Sequence, residues 1–360
     1  MDLRAVRPYL WAFVLALFIP ASWVLELVRA DGVLVFAAAG AGIIPLAWFM
    51  GLATEELGKH AGPGIGGLLN ATFGNATELI IALFALFSGL HEVVKASITG
   101  SIIGNILLVL GLSMFAGGLR HRTQTFSREA SGIQTSMLLL AVIGLVMPDL
   151  YILSQETTGG AVSPGLLRSM SLGIAGILLA AYVLGLLFSL RTHRDIFNPV
   201  TEAAEEPHWT VRTALIVILV ATGFVALQSE LLVSSLESAR TSLGLTELFV
   251  GVIIVAIVGN AAEHGSAVIM AFRNKMDLSV AIATTSTTQI ALFVAPVLLF
   301  ASLLTSQVMS LDFEIFELVS IALSTAVLAA VASDGRSNWY EGVLLVMVYA
   351  IIGVAFFYHP

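Results

Sequence analysis

The chain has no cysteine among its 360 residues, and only 11% of them are charged. The missing thiols exclude a disulfide framework, a thiolate metal site and a cysteine nucleophile, and say nothing about redox compartment. A typical soluble domain is about a quarter charged, so the shortage excludes an ordinary cytosolic enzyme and a disordered chain. Basic residues are scarce too: 16 Lys and Arg stand against 24 Asp and Glu, for a formal net charge of −8. No nucleic-acid partner is expected, because phosphate recognition starts from clustered Lys and Arg. Neither H-E-x-x-H nor G-x-S-x-G occurs, which removes those zinc-peptidase and serine-hydrolase chemistries.

What is present is apolar. Hydrophobic residues make up 58% of the chain and the mean hydropathy is +0.97. Runs of about 20 apolar residues recur along the length, enough to cross a ~30 Å hydrocarbon layer as helices. The pattern predicts an all-α polytopic membrane protein with eleven spans, at roughly 9–28, 33–54, 65–88, 93–117, 131–148, 167–190, 211–228, 245–272, 277–303, 314–332 and 340–358. Arg4 and Arg7 ahead of the first apolar run resemble a signal peptide. The run extends to Leu27 without a clear small-residue cleavage site, which favours a retained helix.

Basic residues gather in cytoplasmic loops. With the N-terminus inside, twelve of the 16 fall in inner segments and four, Arg29, Lys95, Arg168 and Arg240, in outer ones. The expected orientation is therefore N-terminus cytoplasmic and C-terminus outside, in the plasma (inner) membrane if the source is prokaryotic. The longest polar connection, 191–210, carries Glu202, Glu205 and Glu206 and reads as a joint between two halves. It is either a solvated cytoplasmic loop or an acidic, cation-attracting segment.

The chain repeats itself: Gly74-Asn75-Ala76-Thr77-Glu78 returns as Gly259-Asn260-Ala261-Ala262-Glu263. Aligned without a gap from 74 to 111, the two stretches share 11 identities in 38 positions. Hydrophobicity alone would match Ala and Leu, not Asn and Glu, so this is an internal repeat. The matched spans are the third and eighth. An odd separation makes the copies enter the membrane from opposite sides, the inverted-repeat plan of many secondary transporters. The expected division is a leading helix (1–30), a first five-helix repeat (31–190), the linker (191–210) and a second five-helix repeat (211–360).

Glu78 and Glu263 lie inside otherwise apolar spans, where an ionisable group is costly and is a functional candidate by default. The bland alternative is a structural ion pair or a carboxyl kept neutral by a neighbour. Asn75 and Asn260 precede them by three residues, on the same helix face. The glycines at 62, 64, 66, 67 and 74 invite an irregular helix whose free carbonyls line a cavity. Two carboxylates, two amide oxygens and carbonyls or waters make an all-oxygen set, which suits Ca2+. A transition metal would recruit His or Cys. His264 points about 100° from Glu263 and reads as a residue that packs behind the ligands or supports them. In the following spans Ser101 and Asn105 oppose Ser286 and Gln289 as pathway-lining candidates, with plain interhelical hydrogen bonding as the alternative. Glu55 and Glu230 are candidates for the entrances.

Two ionised carboxylates without a cation cost several kcal/mol each in low dielectric. The pair is therefore expected to cross the membrane filled by Ca2+ or neutralised by protons, and not empty. Exchange by alternating access follows, with the two occupants competing for the same oxygens. No cofactor is expected, since Ca2+ and H+ are substrates; the remaining partner is the lipid bilayer, and self-association is left open.

The two motifs resemble those of the calcium/proton exchangers within the calcium/cation antiporter superfamily, over nearly the whole chain, including the acidic joint at 202–206 and Ser333-Asp334-Gly335. That resemblance implies Glu78 and Glu263 as cation ligands, with Asn75, Asn260, Ser101, Ser286 and Gln289 supporting them. It also implies an antiporter and not an enzyme. Sodium/calcium exchangers typically carry an acid 27 positions after the second motif glutamate; here that position is Ile290, and Asn105 in the first copy. A sodium/calcium exchanger, or exchange of another cation, is the alternative, and a cation channel is the alternative of another class.

Overall fold

The computed structural model describes residues 10–160, 162–197 and 206–359. Arg4, Arg7, Glu202 and Glu205 lie outside the described residues. Nine of its helices are long and apolar enough to cross a membrane. They are α1 (Leu10–Leu27), α2 (Gly32–Gly62), α3 (Ile65–Phe87), α4 (His91–Arg120), α5 (Arg128–Thr157), α6 (Pro164–Thr192), α7 (Val211–Leu243), α9 (Met276–Leu304) and α11 (Trp339–Tyr358). A tenth, α8, is a pair bent by 61°, Glu247–Gly259 followed by Ala261–Phe272. The apolar helix α10 (Ile315–Val331) is shorter, at 17 residues.

Each span read from the sequence falls on one of these helices, but three are longer than expected, α5 among them, which runs on to Thr157. Helix α2 runs on through Glu55 and Glu56, and α7 continues past Gln228 as far as Leu243. The extra turns of α7 carry Ser and Glu, which lower hydropathy, yet Gln228, Ser229 and Ser235 are buried against neighbouring helices. One departure from all-α structure occurs among the described residues: β1 (Gln124–Thr125) pairs antiparallel with β2 (Arg336–Ser337).

Local chemistry fixes where helices begin. Asp31, Ser127, Ser163 and Thr210 each accept a backbone N–H in the first turn of α2, α5, α6 and α7, satisfying an otherwise orphan donor. Helices α10 and α11 open with reciprocal capping boxes, Glu314 with Glu317 and Asn338 with Glu341. Gly62, at φ 82°, separates α2 from α3; a residue with a Cβ would be strained there.

Helices α2 and α7 pack along each other and against α3. Helix α1 lies outside α2, with Trp11 edge-on to Trp48 at 5.3 Å, and is tied to α7 where Ser22 Oγ donates to Gln228 Oε1 at 2.9 Å. The first half of α8 crosses α4, the second half packs on its far end, and α5, α6, α10 and α11 complete the periphery. Leu219, Ile351 and Ile177 are each more than 60% exposed on the outer faces. Apolar surface on that scale marks contact with lipid, not water.

Candidate cation-binding site

Both motif segments interrupt their helices in the same way. Asn75 sits at φ −98°, ψ 20° and Asn260 at φ −94°, ψ 6°, each directly before a new helical run. Three residues into those runs stand Glu78 and Glu263, in the first turn, where the helix N-terminus favours negative charge. Immediately after the polar positions of α4 and α9 the helices loosen into π-helical turns, Gly104–Val109 and Ile290–Val294. Such turns often accompany functional positions.

The four helices converge on one polar cluster. Asn260 Nδ2 donates to Ser101 Oγ at 2.9 Å, and Ser286 Oγ donates to Asn75 Oδ1 at 3.1 Å. Each motif asparagine is thus bonded to the serine of the other half. Asn105 Nδ2 bridges Ser286 Oγ at 2.9 Å and Asn260 Oδ1 at 3.2 Å. Asn75 Nδ2 donates to Gln289 Oε1. Every amide oxygen in this set has two lone pairs, so these bonds brace the two helix breaks and still leave acceptor capacity.

The carboxyls of Glu78 and Glu263 face each other. Glu78 is buried, and its oxygens have no partner among the described residues other than the facing Glu263 carboxyl. Glu263 is half-buried. A buried carboxylate without partners is expensive, and an arriving cation or proton would relieve that cost. Gly259 makes the approach possible: a Cβ there would lie 3.0 Å from Glu78 Cγ. Among the described residues no three His, Cys, Asp or Glu side chains group around one point, so further ligands would be neutral oxygens.

A cavity of about 490 Å³ opens beside the cluster, lined by Ser127, Ser131 and Gln134 from the α5 side and by Asp277, Thr284 and Thr285 of α9. A smaller one, about 50 Å³, shares Gln134 and Thr285 with it and reaches Thr288 and Gln289. Together they lead from the protein surface toward the Asn75–Gln289 pair, between walls that also carry apolar side chains such as Phe126, Phe197 and Leu278.

Eight of the sequence candidates, Glu78, Glu263, Asn75, Asn260, Ser101, Asn105, Ser286 and Gln289, therefore meet in one place. Others fall elsewhere. Glu230 is exposed. Glu55 is exposed and paired with Lys59 at 3.1 Å. Its neighbour Glu56 is buried and accepts the N–H groups of His208 and Trp209 at 2.6 and 2.9 Å. His264 follows Glu263 on the same turn and is half-buried. Lys95, counted as an outer-loop residue in the charge asymmetry, is instead 6% exposed inside α4. It pairs with Glu92 and Asp312 and not with the motif glutamates. Sequence reasoning misses Gln134 and Tyr182, which both line the smaller cavity. An isolated amide within an apolar span is the available signal for Gln134; Tyr182 has none.

These features suit a membrane transporter, and the relatives are transporters and not enzymes. The family model described as sodium/calcium exchanger protein matches residues 31–191 and 213–358, and the chain belongs to that family, in its calcium/proton exchanger branch. It is 48% identical to the Ca(2+)/H(+) antiporter of Aphanothece halophytica over 364 residues, covering 97% of this chain and 96% of the relative. The Ca(2+)/H(+) antiporter ChaA of Bacillus subtilis is 46% identical, with 94% and 96% covered. Native YfkE superposes with a TM-score of 0.84 at 42% identity, over 96% of this chain and 99% of YfkE. The sodium–calcium exchanger NCX_Mj, at 18% identity and TM-score 0.56 over 88% of this chain and 95% of its own, shares the fold.

Proposed function

We propose that the protein exchanges Ca2+ for H+ by alternating access, with Glu78 and Glu263 as the shared binding groups. The single observation that carries the reading is the facing pair of motif glutamates, one of them buried with no partner but the other. Two carboxylates balance one Ca2+ or two protons. Either occupant removes the charge that would otherwise be stranded in low dielectric. The names of the antiporters from Aphanothece and Bacillus agree with this substrate pair. Ca2+ takes six to eight oxygens, so the reading draws the remainder from Asn75, Asn260, helix-break carbonyls and water.

The proposal also includes eleven membrane crossings, with α8 as one bent span and α10 as a short one. It pairs α2–α6 with α7–α11 as inverted repeats behind the leading α1. Support comes from the matched motifs, the near-identical backbone at Asn75 and Asn260, and the family match, whose two stretches flank the linker. In this orientation the N-terminus and the larger cavity face the cytoplasm, the C-terminus lies outside, and the membrane is the plasma membrane if the source is prokaryotic.

The sodium-coupled alternative is disfavoured at one position. Where sodium/calcium exchangers typically carry a third acid, this chain has Ile290, which is buried and cannot ligate a cation, and Asn105, a neutral amide that adds no third negative charge. Proteoliposomes loaded at acid pH and diluted into alkaline Ca2+ should accumulate Ca2+, and a Na+ gradient at constant pH should not drive it. Robust Na+-driven flux without proton movement would overturn the assignment.

A further inference from the structure

The two halves share a sequence pattern but not a conformation. In the second half, Thr284 and Thr285 of α9 line the open cavity. Their counterparts in the first copy, Thr99 and Gly100 of α4, are closed in. A Cβ on Gly100 would lie 2.0 Å from the Val252 carbonyl oxygen, so α4 and α8 touch backbone to backbone. One side of the cluster is open along α9; the equivalent side along α4 is shut.

The shut side is polar. Lys95, one turn from Thr99, donates to the Asp312 backbone carbonyl at 2.8 Å and pairs with Glu92 at 2.8 Å. Its ammonium lies 3.7 Å from the Asp312 carboxylate. Asp149 of α5 accepts the Phe313 N–H at 3.1 Å, fastening the same loop. Behind this closure lies Glu317 of α10, 1% exposed. One of its oxygens accepts the Glu314 N–H at 3.0 Å; the other lies against the Thr99 hydroxyl, and neither of those two atoms has any further partner among the described residues. The imidazole of His359 sits 3.7 Å from Glu314.

We propose that Glu317 and Thr99 form a transient cation site on the outer half of the ion pathway, sealed in this conformation by Lys95 on Asp312. This rests on the inverted-repeat, alternating-access reading above. A buried carboxylate oxygen and the hydroxyl beside it, with no partner but each other, supply the hard oxygen donors that Ca2+ prefers. The ammonium of Lys95 holds the loop shut when no cation is present. Opening requires the Lys95–Asp312 contact to part and α4 to separate from α8, as α9 stands open on the opposite side.

Because the chain is free of cysteine, single cysteines report the pathway directly in the full-length protein. Thr99→Cys should react with a cationic, membrane-impermeant thiol reagent only from the side bearing Asp312, and Thr284→Cys only from the opposite side. Adding Lys95→Met should speed the Thr99→Cys reaction at least tenfold, and external Ca2+ should slow it. Glu317→Gln keeps the acceptor for the Glu314 N–H. It should abolish the Ca2+ protection and slow exchange at least tenfold, with Glu317→Asp recovering part of the rate. Labelling of Thr99→Cys from the Thr284 side, or from neither side even with Lys95→Met, would overturn the proposal, as would wild-type exchange by Glu317→Gln. The side and rate of labelling use no Ca2+ flux, so failure of proton-driven transport in the unmodified protein would strike the functional reading alone.

Discussion

Gly259→Ala tests the carboxylate pair without touching a charge. The new methyl carbon would stand 3.0 Å from Glu78 Cγ, whereas carbon atoms rest at about 3.5–4.0 Å. The shortfall is roughly 0.5–1 Å, and the contacted atom is mid-chain, not a mobile tip. If the packing resists, overpacking costs about 1–3 kcal/mol; if Glu78 yields, its carboxylate moves with its Cγ. Ca2+–oxygen distances span only about 2.3–2.6 Å, a tolerance smaller than the displacement. The variant should bind Ca2+ about 10- to 100-fold more weakly, which corresponds to about 1.4–2.7 kcal/mol. A proton needs no multi-oxygen geometry, so neutralisation of the pair should persist. The assay is Ca2+ titration of the purified protein by calorimetry, beside a thermal melt to establish folding. Wild-type Ca2+ affinity in a folded Gly259→Ala protein would refute the close contact as a determinant of the site.

Glu78→Gln and Glu263→Gln keep size but remove charge, and each should abolish Ca2+ exchange in proteoliposomes while the protein remains folded in detergent; near-normal flux in either contradicts the assignment. Lowering the pH should weaken Ca2+ binding, because protons occupy the oxygens the cation needs and the loss grows as the proton concentration rises. A titration series from pH 5 to 9 with constant affinity would contradict competition. Ser286→Ala and Asn105→Ala should slow exchange more than they weaken binding, since each loses hydrogen bonds of about 0.5–1.5 kcal/mol apiece that brace a helix break and no charged ligand. A larger effect on affinity than on rate, from paired binding and flux measurements, would make them ligands.

The centre of the molecule is legible in the sequence because burial depth and repetition act together there. An acid in the middle of an apolar span is conspicuous, and a second copy in the other half makes chance untenable. The partners Ser101, Asn105, Ser286 and Gln289 stand out for the same reason. Toward the helix ends that logic fails. Glu317 and Lys95 lie within the first turns of α10 and α4, where charged residues are ordinarily solvated, and only the loop at Asp312 folding over them makes them buried. Glu55 and Glu56 are adjacent in sequence. Which of them is sheltered depends on the N–H groups of His208 and Trp209 arriving from the far side of the linker. The long polar end of α7 hides its helix because Gln228 finds its partners, Ile19 and Ser22, only in the assembled bundle, while Ser229 and Ser235 bond back to the Val225 and Leu231 carbonyls of their own helix.

Conformation is the other thing the repeat does not disclose. Two copies of one pattern carry no preference for which is open, yet the structure is asymmetric: Thr285 faces a cavity while Gly100 is pressed on Val252. That asymmetry is what the proposed alternating access requires. The cluster joins a cavity along α9, while the equivalent route along α4 is blocked by backbone contact and a buried ammonium. Exchanging the roles of α4 and α9 would invert the access and leave the Asn–Ser bonds between the halves to hold the site. Those bonds are reciprocal, Asn260 to Ser101 and Asn75 to Ser286, so neither helix break has to give up its brace for the two sides to trade places. Passage through the closed intermediate then depends on charge. A Ca2+ or two protons leave the glutamate pair nearly neutral, and an empty pair does not. The coupling of one flux to the other follows from that difference.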